Sequence, residues 1–261
     1  MTGSGTYDGQ WVHRFHPTDD SDFRLVCFPH AGGSASYFYA LSEALSPHLD
    51  TLVVQYPGRQ DRRAEGCVEN LAELADLTYA ALRRCEDGRP LVFFGHSMGS
   101  ILAFEVARRY QDDAGAPPVH LVASGYPPPS LLRGGTVHLR DDAGLVEELL
   151  LVGGTDPVYL ENAHLRASIL SALRGDYTAI ETHPRATGVR LDCPITMLVG
   201  TDDPHTTLTE AESWREHTTA EFDLHVFQGG HFYLDEHGAA VNEIIAGAVR
   251  GVAGAGAAHP S

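Results

Sequence analysis

The chain has 261 residues, 43% of them hydrophobic, and this length allows one α/β domain with a substantial core. Its formal net charge of -17 disfavours nonspecific binding to nucleic acid or to an anionic membrane, so we expect neither as a partner. The sequence contains neither a run of 18 apolar residues nor a signal-peptide pattern, and we expect a soluble, cytoplasmic monomer.

Six short apolar runs, each ending in glycine, proline or a polar turn, predict strands that are buried on both faces. In chain order the runs are RLVCFPHAGG, TLVVQYPGR, LVFFGHSMG, VHLVASGYPPP, PITMLVGTDD and LHVFQGGHF. Helical patterns lie between several of them, at residues 35–45, 71–84, 101–110 and 208–216. Strands that alternate with helices indicate a doubly wound, mostly parallel central sheet flanked by helices.

One interval, residues 126–190, contains no clear strand pattern. It starts with a proline-rich stretch and then shows two helical patterns, near residues 142–151 and 161–182. An insertion of this size after a sheet strand favours a lid or a specificity element, and a helical pair packed permanently on the sheet is the alternative. The two ends, residues 1–10 and the Gly/Ala-rich residues 251–261, are predicted to be disordered.

A candidate nucleophile lies at the end of the third apolar run. Residues 95–99 read GHSMG, which places Ser97 between a predicted buried strand and a predicted helix. A serine on such a sharp turn takes a strained backbone conformation, and Gly95 and Gly99 avoid the clash that a Cβ would cause there. GxSxG alone is a weak motif, but this context is the one that it requires, so we predict that Ser97 is a nucleophile.

A serine nucleophile needs a histidine base and a carboxylate later in the chain. Among the 15 histidines, His231 is the predicted base, because it follows the last apolar run and a glycine pair that lets a loop turn back over the sheet edge. Three alternatives lie in less suitable places: His217 in a helical pattern, His225 in a strand pattern and His237 in the next turn. We expect these three side chains at the surface.

The predicted acid is Asp203, which lies just beyond the fifth apolar run, where sites in open α/β sheets are built. Gly200 permits the turn of a GxxD pattern, and the third residue after it points back into the site. This spacing favours Asp203 over its neighbour Asp202. His205 lies beside the acid in sequence, and we expect it to stay at the loop surface.

Acyl transfer also needs N–H donors for the oxyanion, one directly after the nucleophile and one from a glycine-rich loop after an earlier strand. We predict the backbone N–H groups of Met98 and Ala31. Ala31 lies in PHAGG, residues 29–33, between a predicted strand and a predicted helix. A plain turn is the alternative interpretation of PHAGG.

Cysteine spacing argues against two further kinds of site. The four cysteines show no CxxC pair and no His/Cys cluster, so we expect neither a metal site nor a disulfide framework. Cys27 and Cys193 lie in apolar runs and are predicted to be buried. The four positions are Cys27, Cys67, Cys85 and Cys193.

Seven features between about residues 23 and 234 carry a family resemblance. They are FPHAGGSASYF, QYPGRQDR, FGHSMGSILAFEVARR, LRGDYTAIET, GTDDP, Trp214 and FQGGHFYL. Together they resemble the stand-alone type II thioesterases of polyketide synthase and nonribosomal peptide synthetase pathways. PHAGG, PGR and GGHFYL are the most specific of these features, because other α/β-hydrolases need not share them.

The resemblance implies a single α/β-hydrolase domain over residues 1–261 with a helical lid. It implies hydrolysis of acyl groups from the phosphopantetheine arm of an acyl or peptidyl carrier protein, which removes stalled or aberrant units, and no cofactor of the enzyme's own. By matching position, the nucleophile is Ser97, the acid Asp203 and the base His231. The implied oxyanion donors are Ala31 and Met98.

Other functions on the same fold remain as alternatives. A carboxylesterase, a lipase or an acyltransferase would use the same groups, and a binding protein on a hydrolase scaffold would not use them at all. Many chain-releasing thioesterase domains place the acid just after the strand that follows the nucleophile helix. That stretch, VASGYPPP, contains no carboxylate. The type II class therefore fits better than an excised chain-releasing domain.

A docking surface for an acidic carrier protein would need local positive charge. Arg59, Arg62 and Arg63 form the densest basic cluster outside the helical patterns. They could form such a surface, or they could be solvated loop charges or structural ion pairs. The sequence leaves both interpretations open.

Overall fold

A central sheet of seven strands organises the fold. The computed structural model describes residues 9–46, 48–114 and 116–257. The strands run in the order β1-β3-β2-β4-β5-β6-β7, and all neighbours are parallel except β1 and β3. The six predicted strands and the mostly parallel sheet are confirmed. The strands are β1 (Val12–His13), β2 (Arg24–Phe28), β3 (Asp50–Val54), β4 (Leu91–His96), β5 (His120–Ser124), β6 (Ile195–Gly200) and β7 (Phe222–Phe227).

The two edges of the sheet differ from the sequence prediction. β1 has only two residues, which is too short for any periodicity, and it was not predicted. β7 was predicted to be buried on both faces, but it lies at the opposite edge and is half-exposed, with 46% of Val226 accessible to solvent. An edge strand has a neighbour on one side only, so less of it is covered.

Eight α-helices surround the sheet within the part of the chain that the structure describes. All four helical patterns predicted outside the insertion are present, although 3₁₀ turns form the start of the first and the end of the last. None of these helices combines the length and the apolar character that crossing a membrane requires. The helices are α1 (Tyr39–Leu45), α2 (Leu71–Arg84), α3 (Met98–Ala114), α4 (Asp142–Val152), α5 (Val158–Glu161), α6 (Ala163–Glu181), α7 (Leu208–Glu212) and α8 (Leu234–Ala257).

Helices cover both faces of the sheet because alternate strand residues point to opposite sides. Val26 of β2 lies in one apolar cluster with Phe104 of α3 and with residues of α2. Its neighbour Cys27 lies in a second cluster with Ile245 of α8 and with residues of α1. Cys27 and Cys193 are both buried, as predicted.

The last helix, α8, passes through residues that were predicted to be disordered. Val241, Ile245 and Val249 recur every four residues and are buried against the sheet. The Gly/Ala-rich sequence beyond them lacks an apolar pattern, yet the helix continues to Ala257. The predicted disorder is therefore wrong for residues 251–257, and also for residues 9–10, which form a turn. Residues 1–8 and 258–261 of that prediction lie outside the described residues.

Residues 126–190, called the insertion below, contain α4, α5 and α6 and no strand. The two predicted helices are thus confirmed as α4 and α6. The insertion has an apolar cluster of its own, and Ala31 in the loop after β2 packs against it. This contact places the insertion beside the carboxyl ends of the strands. The cluster consists of Val137, Leu145, Leu149, Leu160, Leu170 and Leu173.

The turn from β4 into α3 leaves no space for a side chain at Gly99, where a Cβ would overlap the carbonyl oxygen of Phe28. We expect Gly99→Ala to lower the free energy of unfolding by roughly 1–3 kcal/mol, because relieving the overlap requires shifts of a well-packed backbone. Gly66→Ala is the matched control, since a Cβ at Gly66 has no neighbour within 4 Å. Equal unfolding free energies for the two variants in denaturant titrations would contradict this packing.

Candidate active site

Ser97 occupies the turn between β4 and α3 in a strained backbone conformation. Its φ angle is 56°, in the left-handed region that residues other than glycine rarely adopt. Its N–H donates to the carbonyl of Ser124 at 2.7 Å, and its carbonyl accepts from the N–H of Ser100 at 2.9 Å. A Cβ at Gly95 would overlap the carbonyl of Gly99. The predicted strained turn and the need for both glycines are confirmed.

Asp203 and His231 meet at the carboxyl ends of β6 and β7. Nδ1 of His231 lies 3.0 Å from Oδ1 and 2.9 Å from Oδ2 of Asp203, and both side chains are buried. The backbone N–H of His205 donates to Oδ1 of the same carboxylate at 2.8 Å. A carboxylate at Nδ1 favours the tautomer with the proton on that nitrogen, so Nε2 of His231 is left to accept a proton.

Asp202 lies in the same loop but is exposed and has other partners. Its Oδ2 accepts from the hydroxyl of Thr201 at 2.8 Å and from the amide of Gln228 at 3.1 Å. Of the two neighbouring carboxylates, the structure therefore brings Asp203, and not Asp202, to the imidazole of His231.

Close backbone packing joins the loops that carry Asp203 and His231. A Cβ at Gly200 would overlap the carbonyl oxygen of Gly230. The N–H of Asp202 also donates to the carbonyl of Gly229 at 2.8 Å. Gly200 and the glycine pair before His231, which were predicted to permit turns, thus also allow the two loop backbones to touch.

Ser97 and His231 line the same narrow cavity, which has a volume of about 40 Å³. Ala31 and Phe232 form other parts of its wall, and Glu148 of α4 reaches it from the insertion. Ser97 is 8% exposed, so its surroundings exclude most solvent. A weakly solvated serine next to a carboxylate-bound imidazole is the arrangement that nucleophilic acyl transfer requires.

The two segments predicted to bind an oxyanion lie side by side. Met98 is the first residue of α3, so its N–H has no acceptor within the helix. A Cβ at Gly99 would overlap the carbonyls of Phe28 and Pro29, which shows that the start of α3 touches the PHAGG loop. Ala31 of this loop lines the cavity together with Ser97. The structure thus places the start of α3, where Met98 lies, against the loop that contains Ala31.

Comparison with known proteins agrees with this geometry. The family model described as "Thioesterase domain" matches residues 23–249, which is most of the chain. The chain belongs to the thioesterase family. This thioesterase is 50% identical over 240 residues to the probable cadicidin biosynthesis thioesterase of Streptomyces griseus, an alignment that covers 92% of this chain and 66% of that relative.

Two further relatives are thioesterases by name. Thioesterase PikA5 of Streptomyces venezuelae is 47% identical over 229 residues, which cover 87% of this chain and 81% of PikA5. Among solved structures, the type II thioesterase BorB from the borrelidin biosynthetic cluster is 46% identical with a TM-score of 0.82. That match covers 92% of this chain and 96% of BorB. The expected α/β-hydrolase fold and the family resemblance are confirmed.

Two histidines that the sequence analysis did not select also surround the site of the thioesterase. Burial, and next the nearby His231, lower the pKa of His30 to about 3. The same two causes hold the pKa of His96 well below its ordinary value. The His96 ring lies 5.0 Å from the His231 ring, and its Nδ1 is 2.9 Å from Oγ of Ser124. Both imidazoles are therefore neutral at neutral pH. The sequence could have indicated both residues, because His30 lies within PHAGG and His96 within GHSMG.

The rejected histidines are not all surface residues as predicted. His217 is only 1% exposed, and its Nδ1 donates to the carbonyl of Val189 at 3.0 Å. The prediction was wrong there because a 3₁₀ turn after α7 directs the ring inward, where Nε2 accepts from the hydroxyl of Ser130 at 2.8 Å. His225 and His237 are partly exposed. His237 lies at a kink within α8 and not in a turn.

His205 was expected at the loop surface, and this expectation is also wrong. Its ring lies 5.2 Å from the ring of His231, and its Nε2 is 3.1 Å from Oε1 of Glu148. Glu148 is a buried carboxylate of α4, which the sequence analysis did not identify. It also accepts from the hydroxyl of Tyr177 at 3.1 Å and from the guanidinium of Arg140 at 2.9 Å. The hydrogen bond from His205, opposed by burial, keeps the pKa of Glu148 below its ordinary value.

The arginine cluster divides between structural and exposed positions. Arg59 is buried against Asp176. Arg62 is buried with its guanidinium 4.1 Å from the ring centroid of Trp11. Only Arg63 of the three is exposed. The structural interpretation therefore holds for Arg59 and Arg62.

Glu148 fastens the insertion to the loop that carries Asp203. We expect Glu148→Gln to weaken this attachment and to increase amide hydrogen exchange in residues 142–152 by about fivefold, because an ion-paired carboxylate is lost from a buried position. Glu147→Gln is the matched control, since Glu147 is the exposed neighbour of Glu148 on α4 and carries the same charge. Mass spectrometry of exchanged peptides measures the effect. Unchanged exchange in Glu148→Gln, or the same increase in both variants, would contradict this role.

Proposed function

We propose that this thioesterase is a type II enzyme that hydrolyses acyl groups from the phosphopantetheine arm of acyl or peptidyl carrier proteins. In this role it removes stalled or aberrant units during polyketide or nonribosomal peptide biosynthesis. The observation that carries the proposal is the buried Asp203–His231 pair at 2.9 Å beside a cavity that Ser97 lines. Similarity to BorB, a type II thioesterase by name, supports the type II class.

The first half of the reaction acylates the enzyme. Nε2 of His231 takes the hydroxyl proton of Ser97 while Oγ attacks the thioester carbonyl, and Asp203 stabilises the imidazolium that forms. The N–H groups of Ala31 and Met98 donate to the oxyanion. When the carbon–sulfur bond breaks, His231 gives its proton to the departing pantetheine sulfur, and the acyl group remains on Ser97 as an ester.

The second half releases the acid. Water occupies the place of the thiol, transfers a proton to Nε2 of His231 and attacks the acyl carbon. The carbon–Oγ bond then breaks, Ser97 regains its proton from His231, and the free carboxylic acid leaves. The neutral rings of His30 and His96 add no positive charge next to His231 that would oppose its protonation.

A wider cleft beside the cavity suits the pantetheine arm. It has a volume of about 630 Å³ and shares His30 and Ile169 with the cavity at Ser97. Ser34, Ser36 and the exposed Arg63 give it polar and cationic groups, which fit the amides and the phosphate of the arm. We place the arm in this cleft, with its thioester directed towards Ser97.

The position of the acid supports a type II enzyme over a chain-releasing domain. Asp203 follows β6, whereas the segment that directly follows β5 contains no carboxylate. The geometry thus fits the arrangement that the resemblance to type II enzymes implies.

Ser97→Ala tests the proposed nucleophile. We expect turnover of an acyl-carrier thioester to fall by about 10³-fold or more, because the hydroxyl that accepts the acyl group is lost. Release of the free acid, followed by chromatography, measures the rate. Turnover by Ser97→Ala at the wild-type rate would contradict the proposal.

Matched variants and a second substrate sharpen this experiment. Asp203→Asn should lose most activity, whereas Asp202→Asn, one residue away and turned from His231, should retain it. The oxygen ester of the same acyl group separates the proposal from its alternatives. Faster turnover of that ester than of the thioester would instead indicate a carboxylesterase or a lipase.

A further inference from the structure

Asp176 is a buried carboxylate that the mechanism above does not use. It lies on α6 of the insertion and is 1% exposed. Its Oδ2 accepts from the backbone N–H of Gly32 at 2.7 Å and also contacts the guanidinium of Arg59. Three segments far apart in sequence, namely the insertion, the PHAGG loop and the loop after β3, therefore meet at one carboxylate.

The contact falls beside the proposed oxyanion donor. Gly32 directly follows Ala31 and has a φ angle of 73°, which fixes the peptide plane in a conformation that favours glycine. The N–H of Gly33 donates to the carbonyl of His30 at 3.0 Å. The N–H groups of Gly32 and Gly33 thus already have acceptors, which leaves the N–H of Ala31 for the cavity.

A hydrogen bond also fixes the PHAGG loop on the N-terminal side of Ala31. The hydroxyl of Tyr56 donates to the carbonyl of Pro29 at 3.0 Å. The guanidinium of Arg59 lies 5.1 Å from the centre of the Tyr56 ring and donates to the carbonyl of Pro57 at 2.7 Å. Tyr56, Arg59 and Asp176 thus form a buried support, and it contacts the PHAGG loop on both sides of Ala31.

The ionisation of Asp176 is favoured by its neighbours. Burial raises the pKa of Asp176, while the charge of Arg59 and the Gly32 N–H act in the opposite direction. Arginine stays protonated in proteins, so a guanidinium in direct contact stabilises the carboxylate form. An ionised acceptor makes the stronger hydrogen bond to the Gly32 amide.

We propose that Asp176 is a positioning residue for the oxyanion site: it holds the Gly32 amide and so directs the Ala31 N–H towards the developing oxyanion. This inference rests on the proposed function of Ser97 and Ala31. It gives the insertion a part in catalysis, because α6 orients one of the two donors although Asp176 itself does not touch substrate.

The test compares transition-state affinity with ground-state affinity for the full-length enzyme. We expect Asp176→Ala to lower kcat for an acyl-pantetheine thioester by about 10- to 100-fold with little change in KM, less than the 10²- to 10³-fold effect of deleting a donor. Affinity for the matching trifluoromethyl ketone, which forms a tetrahedral oxyanion on Ser97, should fall by the same factor. Affinity for the non-hydrolysable thioether should not change.

Three further variants keep the test decisive. Asp176→Asn can still accept from the Gly32 N–H through its side-chain oxygen and should retain much of the ketone affinity. The double variant Arg59→Met with Asp176→Leu replaces the ion pair by apolar groups, often without loss of stability, and should lose ketone affinity as Asp176→Ala does. Glu181→Ala is the matched control on α6, because Glu181 accepts from the N–H groups of Val137 and His138 within the insertion.

Two results would overturn the inference. One is an equal loss of ketone and thioether affinity in Asp176→Ala or in the double variant, and the other is the same selective loss in Glu181→Ala. Failure of the proposed function has a different signature, because the wild-type enzyme would then not hydrolyse the thioester at all.

Discussion

Backbone contact between the start of α3 and the end of β2 is the constraint on which the site depends. Gly99 lies so close to the carbonyls of Phe28 and Pro29 that no side chain fits between them. Ser97, two residues earlier, lies in the left-handed region, and the start of α3 touches the PHAGG loop. The positive end of the α3 dipole therefore lies beside Ser97, where the reaction develops negative charge.

A second close contact of a glycine with a neighbouring backbone positions the acid and the base of the site. Gly200 allows the loop after β6 to touch the loop after β7, and the two loops bring Asp203 to Nδ1 of His231. Both contacts occur at the carboxyl ends of parallel strands, where an open α/β sheet gathers its loops. The insertion closes over this edge and is fastened at two buried carboxylates, Glu148 and Asp176.

Local patterns predicted much of this arrangement. The buried strands, the turn at Ser97 and the pairing of His231 with Asp203 follow from apolar runs, from glycine spacing and from chain order, all of which are short-range or directional signals. No helix was predicted for residues 234–257, although Val241, Ile245 and Val249 recur every four residues, and their packing on the sheet stabilises α8.

The sequence could not predict which charged side chains pair with residues far away in the chain. The sequence left open whether Arg59 is a surface charge or part of an ion pair, because its partner, Asp176, lies 117 residues away. His205 looked like a surface residue because Glu148 belongs to a different layer of the fold. Whether a charged side chain is buried depends on such a partner, and no local pattern encodes it.

The proposed reaction depends on an acyl-enzyme that forms on Ser97. Rapid acid quenching after mixing with an acyl-carrier thioester, followed by peptide mass spectrometry, measures it most directly. We expect the added mass of the acyl group on the peptide that contains Ser97, and no such adduct in Ser97→Ala. Thioester hydrolysis with the acyl group on a different residue, or with no covalent adduct at any quench time, would contradict it.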